Sequence, residues 1–146
     1  MVKFINAAGG LVQNEFGEYL LILRNGKWDL PKGKQDDGEE LSFTALREVG
    51  EECGIKELIL SKPIASTQHS YWLDDLLVFK KTQWYHIYTP GRPKPCPQTQ
   101  EGIEQCCWCS PKEAAQLLSQ SYPSIRWLFQ RATGIVRKKG VFLGQN

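Results

Sequence analysis

Residues 33–55 read GKQDDGEELSFTALREVGEECGI, and the rest of the chain has to be understood around them. Glu39 to Cys53 reads as a helix. It is closed by Gly54, the residue type that most easily takes the left-handed conformation ending a helix. At about 100° per residue, Glu48, Glu51 and Glu52 fall within one sector of about 100°. Ala45, Leu46, Val49 and Cys53 occupy the adjacent sector and can face a core. Three carboxylates on one face repel one another and weaken the helix. Arg47, four residues before Glu51, offsets part of that repulsion. Clustered hard oxygen donors are what Mg²⁺ or Mn²⁺ takes as ligands, and such a cation would cancel the repulsion. The plain alternative is a solvated acidic face, the usual fate of a charge run.

The spacing is more specific than the acidity. Gly33, Glu39, Arg47, Glu48, Val49, Glu51, Glu52, Gly54 and Ile55 fill every fixed position of the pattern G-x5-E-x7-R-E-U-x-E-E-x-G-U, where U is a bulky aliphatic residue. Ordinary residue frequencies make a chance match in a chain this long on the order of 10⁻⁷. The stretch resembles the Nudix box of the Nudix (MutT-like) hydrolases. The resemblance implies an α+β fold, the Nudix-type α/β/α sandwich with a mixed β-sheet. It also implies one domain over residues 1–146 with its box at 33–55. Glu48, Glu51 and Glu52 match metal-binding glutamates, and Glu48 also matches a frequent general base. Gly33 matches a position whose carbonyl can ligate metal. Glu39 and Arg47 match residues that orient the metal-binding set. Catalysis is thus expected of Glu48, Glu52, Arg47 and Glu39, with Mg²⁺, or Mn²⁺ in its place, as cofactor.

Working outward, Glu18 to Arg24 (EYLLILR) reads as a buried strand, and Asn25-Gly26 as a tight turn. Pro31 and Gly33 break regularity on the way into the box. Leu58–Tyr71 and Asp75–Tyr88 read as strands. Residues 89–102 carry Pro90, Pro93, Pro95 and Pro97 and read as a loop. Ile103–Cys109 reads as a short strand. Ser110-Pro111-Lys112-Glu113 is a capping box with Pro at the first helical position, opening a helix to about Ser119. Ser124 to Thr133 is a second helix or a continuation of the first after Pro123. From Gly134 the pattern assigns no element.

Substrate contacts are expected outside the glutamates. Tyr71 lies where dinucleoside polyphosphate hydrolases of the family tend to carry a Tyr; a strand aromatic packing in the sheet is the alternative. Lys32 and Lys34 flank Gly33 and can meet phosphate or simply face water. In the patch Lys80, Lys81, Trp84 and Tyr85, strand alternation lets only Lys81 with Tyr85, or Lys80 with Trp84, face one pocket. Lys81 and Tyr85 are the expected pair. Some relatives use an extra loop acid. Glu101 and Glu104 lie in the right region, and the choice between them stays open here.

Composition sets the outer limits. The chain has 146 residues with 41% hydrophobic and 23% charged, ordinary values for one soluble domain. Lys+Arg at 18 against Asp+Glu at 16 gives +2, which argues against a nucleic-acid partner held by a broad basic face. No apolar run reaches the roughly 20 residues needed to cross a bilayer, so no membrane partner is expected. The cysteines, five in number, offer no metal-ligand spacing and fit free thiols in a reducing cytoplasm.

The resemblance therefore implies a Mg²⁺-dependent pyrophosphohydrolase. It would cleave the diphosphate linkage of a nucleoside diphosphate joined to another group, with dinucleoside polyphosphates slightly ahead. Nucleoside triphosphates are the first alternative and a non-catalytic nucleotide-sensing module the second. The partner is then a small nucleotide or polyphosphate, with a homodimer as the assembly often found in the family.

Overall fold

The computed structural model describes residues 1–138 and 141–143, with side chains to Ile135. Its elements are β1 (Val2–Asn14), β2 (Tyr19–Arg24), β3 (Lys27–Asp29), β4 (Lys32–Lys34), α1 (Leu41–Cys53), β5 (Ile59–Leu73), β6 (Leu76–Thr89), β7 (Ile103–Cys109), α2 (Pro111–Leu118), α3 (Pro123–Thr133), β8 (Val136–Lys138) and β9 (Val141–Leu143). A single 3₁₀ turn, Thr99–Glu101, precedes β7.

One mixed sheet organises the chain in the order β3-β2-β1-β6-β5, with β4 added to β1 and β7 to β2. β1 and β6 pair in parallel along their whole length, while β5 and β6 form a long antiparallel hairpin. β2 meets β1 only near Gln13 and Tyr19. Farther along, β4 takes the free edge of β1 at Ala7–Gly9. The parting of β1 and β2 creates the seam in which the box glutamates end up.

Each face of the sheet buries one apolar cluster. Ala45, Val49 and Cys53 of α1 pack on Ala8, Val12, Leu20, Ile22 and Ile87. Ala114, Leu118, Ile125, Leu128 and Phe129 of α2 and α3 pack on Leu11, Leu21 and Trp84 from the opposite side. Sheet residues adjacent in sequence, such as Leu20 and Leu21, therefore serve opposite cores, as strand alternation requires. Helices on both faces make this an α/β/α sandwich.

The local signals act as expected where they are chemical. Gly54 is left-handed (φ 66°) and its N–H donates to Gly50 O at 2.9 Å. Ser110 and Glu113 form the reciprocal capping box, and Pro123 opens a helix separate from α2. One boundary moves. The helix begins at Leu41 rather than Glu39, because the Glu39 carboxylate is turned back to accept from Thr44 Oγ1, the Asp36 N–H and Arg47. The tail from Gly134 forms the short β8–β9 pair.

Leu128 is fully buried between α3 and the sheet, whereas its neighbour Trp127 is 48% exposed. Leu128→Ala is expected to lower unfolding free energy by about 2–5 kcal/mol. Trp127→Ala is expected to lower it by less than about 1 kcal/mol. Urea unfolding of the two variants checks the assignment of faces.

Candidate functional site

Arg47 is the hub of the box. Its Nε donates to Glu39 Oε2 at 2.6 Å and its Nη2 to Glu39 Oε1 at 2.9 Å, a forked pair. Nη2 also donates to the Lys34 carbonyl at 2.9 Å, and Nη1 to Glu51 Oε1 at 3.2 Å. One guanidinium thus joins β4, the loop after it and α1. Its fork holds the Glu39 carboxyl down at about 2, helped by the Thr44 hydroxyl and opposed by desolvation.

The three box glutamates lie in three different environments. The Glu51 side chain is 48% exposed and paired only with Arg47. Glu52 is buried; its Oε2 accepts from Arg24 Nη2 at 2.6 Å and its Oε1 from the Lys32 N–H at 3.0 Å. Burial raises its pKa, and Arg24 offsets that in part. Glu48 sits between them. Its Oε2 is buried and accepts no hydrogen bond, with Arg47 Nη1 3.6 Å away. Burial pushes its carboxyl up to about 7 against the pull of Arg47, while Glu51, Glu52 and Glu101 add like-charge repulsion.

Gly33 explains part of this enclosure. A Cβ built on Gly33 would run directly into the Glu48 carboxylate, so only glycine lets β4 lie against it. Among the described residues no group of three or more His, Cys, Asp or Glu side chains forms a ready-made ligand cage. All three glutamates lie within ion-pair reach of an arginine, Glu48 and Glu51 of Arg47 and Glu52 of Arg24. A buried carboxylate oxygen that accepts no hydrogen bond, among neighbouring glutamate oxygens, nevertheless fits a hard divalent cation.

Beside the seam, on the α2/α3 side of the sheet, lies a cavity of about 440 Å³. Arg24, Asp29, Lys32, His69, Lys80 and Tyr122 contribute to its lining. Among the described residues no carboxylate pairs with Lys80; its pKa falls to about 8 through burial and the nearby charges of Lys32, Arg24 and Lys34. Trp84 is buried and donates from Nε1 to Thr67 Oγ1 at 2.9 Å, so it walls the cavity rather than offering a free ring.

The expected substrate contacts divide accordingly. Lys32 lines the cavity. Tyr71 does not line the cavity; it is 38% exposed, with its ring stacked at 5.8 Å on His69, which does. Lys34 lies in a separate groove with Lys3, Asn6 and Asp36. Lys81 and Tyr85 lie on the other side of the pleat from this cavity, Tyr85 packing on the α1-side cluster and Lys81 exposed, while Lys80 and Trp84 line it. Glu101 lies close enough for its charge to act on Glu48, and its carbonyl accepts from Arg24 Nη1 at 3.3 Å. Glu104 accepts from the Gly26 N–H at 2.7 Å and so braces the Asn25-Gly26 turn. Arg24 and Asp29 were not expected at the site. Arg24 carries no local mark in the sequence beyond ending a strand before a turn, and only the β2 register brings it to Glu52.

Comparison with known proteins bears on the family and the fold. The profile described as NUDIX domain matches residues 3–128. An RNA pyrophosphohydrolase of Novosphingobium aromaticivorans is 44% identical over 54 residues, 36% of this chain and 34% of that protein. Nucleoside diphosphate-linked moiety X motif 6 of Xenopus laevis is 32% identical over 71 residues, 46% of this chain and 33% of that protein. The chain thus aligns with about a third of the length of these curated relatives. A Caenorhabditis elegans Ap4A hydrolase shares the fold with a TM-score of 0.68 at 20% identity, covering 88% of this chain and 94% of that one. A MutT protein from Methanosarcina mazei gives 0.65 at 26% identity, covering 88% and 92%. With an intact box, the sandwich around it and a profile match over most of its length, the chain belongs to the Nudix hydrolase family.

Proposed function

We propose that the protein is a divalent-cation-dependent pyrophosphohydrolase that cleaves the diphosphate linkage of a nucleoside diphosphate joined to a second group. The observation that carries this reading is the buried Glu48 Oε2, which accepts no hydrogen bond and has Arg47 Nη1 3.6 Å away, held against Gly33 beside a cavity lined by cationic side chains. Glu48, Glu52, Glu51 and the Gly33 carbonyl would hold Mg²⁺, with Mn²⁺ as its substitute. Bound there, the cation neutralises diphosphate charge and acidifies water.

The chain's own groups do the rest. Arg47 and Glu39 fix the helix and loop that carry the glutamates. Glu48, whose carboxyl burial raises in the metal-free chain, is the buried carboxylate placed to accept a proton from the attacking water. Lys32 and Lys80 offer the cavity side positive charge for phosphates beyond the cleaved bond. Room and charge for such distal phosphates favour a dinucleoside polyphosphate over a nucleoside triphosphate. The Tyr71–His69 stack offers a flat surface to a base. RNA is a second reading, favoured by the similarity to a protein named RNA pyrophosphohydrolase.

The expectation of a homodimer also carries over as a proposal. At one end of the sheet Val2, Phe4 and Trp72 are 52%, 76% and 68% exposed, an apolar edge suited to pairing. No described helix is long and apolar enough to cross a membrane, and we retain a cytoplasmic setting.

Incubation with Mg²⁺ and a panel of dinucleoside polyphosphates, nucleoside triphosphates, sugar nucleotides, diphosphoinositol polyphosphates and 5′-triphosphate RNA, with both products identified by mass, tests the substrate. Turnover of the dinucleoside compounds is expected to exceed the others. Cleavage of triphosphates alone, to monophosphate and pyrophosphate, would refute that preference. Glu48→Gln and Glu52→Gln are expected to fold and to lose about 10²–10⁴-fold in kcat; near wild-type turnover by both would sink the assignment. Gly33→Ala is expected to push the Glu48 carboxylate aside and weaken Mn²⁺ binding in calorimetry, with the helical circular dichroism unchanged.

A further inference from the structure

Glu52 reaches through the seam between β1 and β2, and in doing so meets Arg24 from the end of β2. The Arg24 side chain is 20% exposed and that of Glu52 6%. The pair is therefore an enclosed one, whose members compensate each other's charge at short range. Both Glu52 oxygens are occupied, Oε2 by Arg24 Nη2 at 2.6 Å and Oε1 by the Lys32 N–H at 3.0 Å. Arg24 is itself held loosely elsewhere. Nη1 reaches the Glu101 carbonyl at 3.3 Å, and Nε is buried with no hydrogen-bond partner. Its guanidinium stands between the carboxylate and the cavity, which it helps to line.

A guanidinium and a divalent cation cannot neutralise the same carboxylate independently, because they repel each other at the separation that one carboxylate imposes. We infer that Arg24 is the internal counter-ion of Glu52 in the metal-free protein and that a divalent cation displaces it toward the cavity, where its freed donors meet an anion. The inference rests on Glu52 being a metal ligand, as proposed above. Arg24 is then a positioning residue that couples two binding events. Without metal it satisfies Glu52 and keeps the seam closed. With metal, its positive charge moves to the side where a phosphate has to be held. Affinities for cation and anion must rise together by the same factor, as linkage demands.

Calorimetric titration of Mn²⁺ into wild type and Arg24→Met, with and without imidodiphosphate as a non-hydrolysed diphosphate probe, tests this, together with thermal unfolding in each state. Arg24→Met is expected to bind Mn²⁺ alone about 10-fold more tightly, within the usual range of such coupling. Its metal-free form should melt lower, and Mn²⁺ should recover more of the difference than a merely structural arginine would allow. Imidodiphosphate should tighten Mn²⁺ binding in wild type and much less in the variant. In wild type alone, the Arg24 Nε–H resonance should shift on saturation with Mg²⁺, a readout that does not depend on the variant folding. Equal Mn²⁺ affinity in the two proteins, or an Arg24 resonance untouched by saturating Mg²⁺, would overturn the inference while leaving the proposed activity standing. A wild-type protein that binds no divalent cation would overturn both.

Discussion

Arg47 holds three segments at once, and the geometry of the glutamates depends on that hold. Its fork on Glu39 and its bond to the Lys34 carbonyl fasten the loop between β4 and α1 to the middle of the helix. A loop of this kind, with Asp36, Asp37 and Gly38 in it, has little apolar surface of its own to order it. Bidentate guanidinium–carboxylate pairing supplies direction as well as attraction. Because the loop is fastened, Gly33 is presented to Glu48 at a separation that admits no side chain, and the carboxylate is enclosed rather than solvated.

The sheet supplies the second constraint. β1 is shared: β6 runs along one edge of it for its full length, while the other edge is divided between β2 and β4. The division opens a passage from the α1 face to the α2/α3 face. Glu52 uses that passage, so a residue on one side of the sheet can act on a cavity on the other. Burial on both faces fixes the register, since a slip of one residue would exchange the two cores.

Much of this was readable before any coordinates, and the reasons differ residue by residue. The ends of the helices were legible because the chemistry of a cap is local: Gly54, Ser110, Glu113 and Pro123 each act within one turn. The carboxylate face was legible because helical periodicity is regular. What the chain alone could not decide was which side of β6 faces the cavity. Lys80 with Trp84 and Lys81 with Tyr85 are equivalent alternations until the packing of Trp84 under α3 chooses between them. Glu101 and Glu104 were likewise inseparable until the position of the Asn25-Gly26 turn gave Glu104 a structural partner. Arg24 was invisible because its importance arises from a contact 28 residues away in sequence. The start of α1 shifted for a local reason, the Glu39 carboxylate being engaged by Asp36, Thr44 and Arg47 within eight residues of it.

The enclosure of Glu48 has a consequence for how this helix can change. A buried carboxylate with an oxygen that accepts no hydrogen bond lowers the stability of the chain that carries it, and an apolar side chain of similar volume would relieve both the desolvation and the crowding of like charge. Selection for thermal robustness alone would therefore erode this face first, replacing glutamate with something greasy and inert. A stability screen run on this protein would therefore enrich apolar replacements at Glu48.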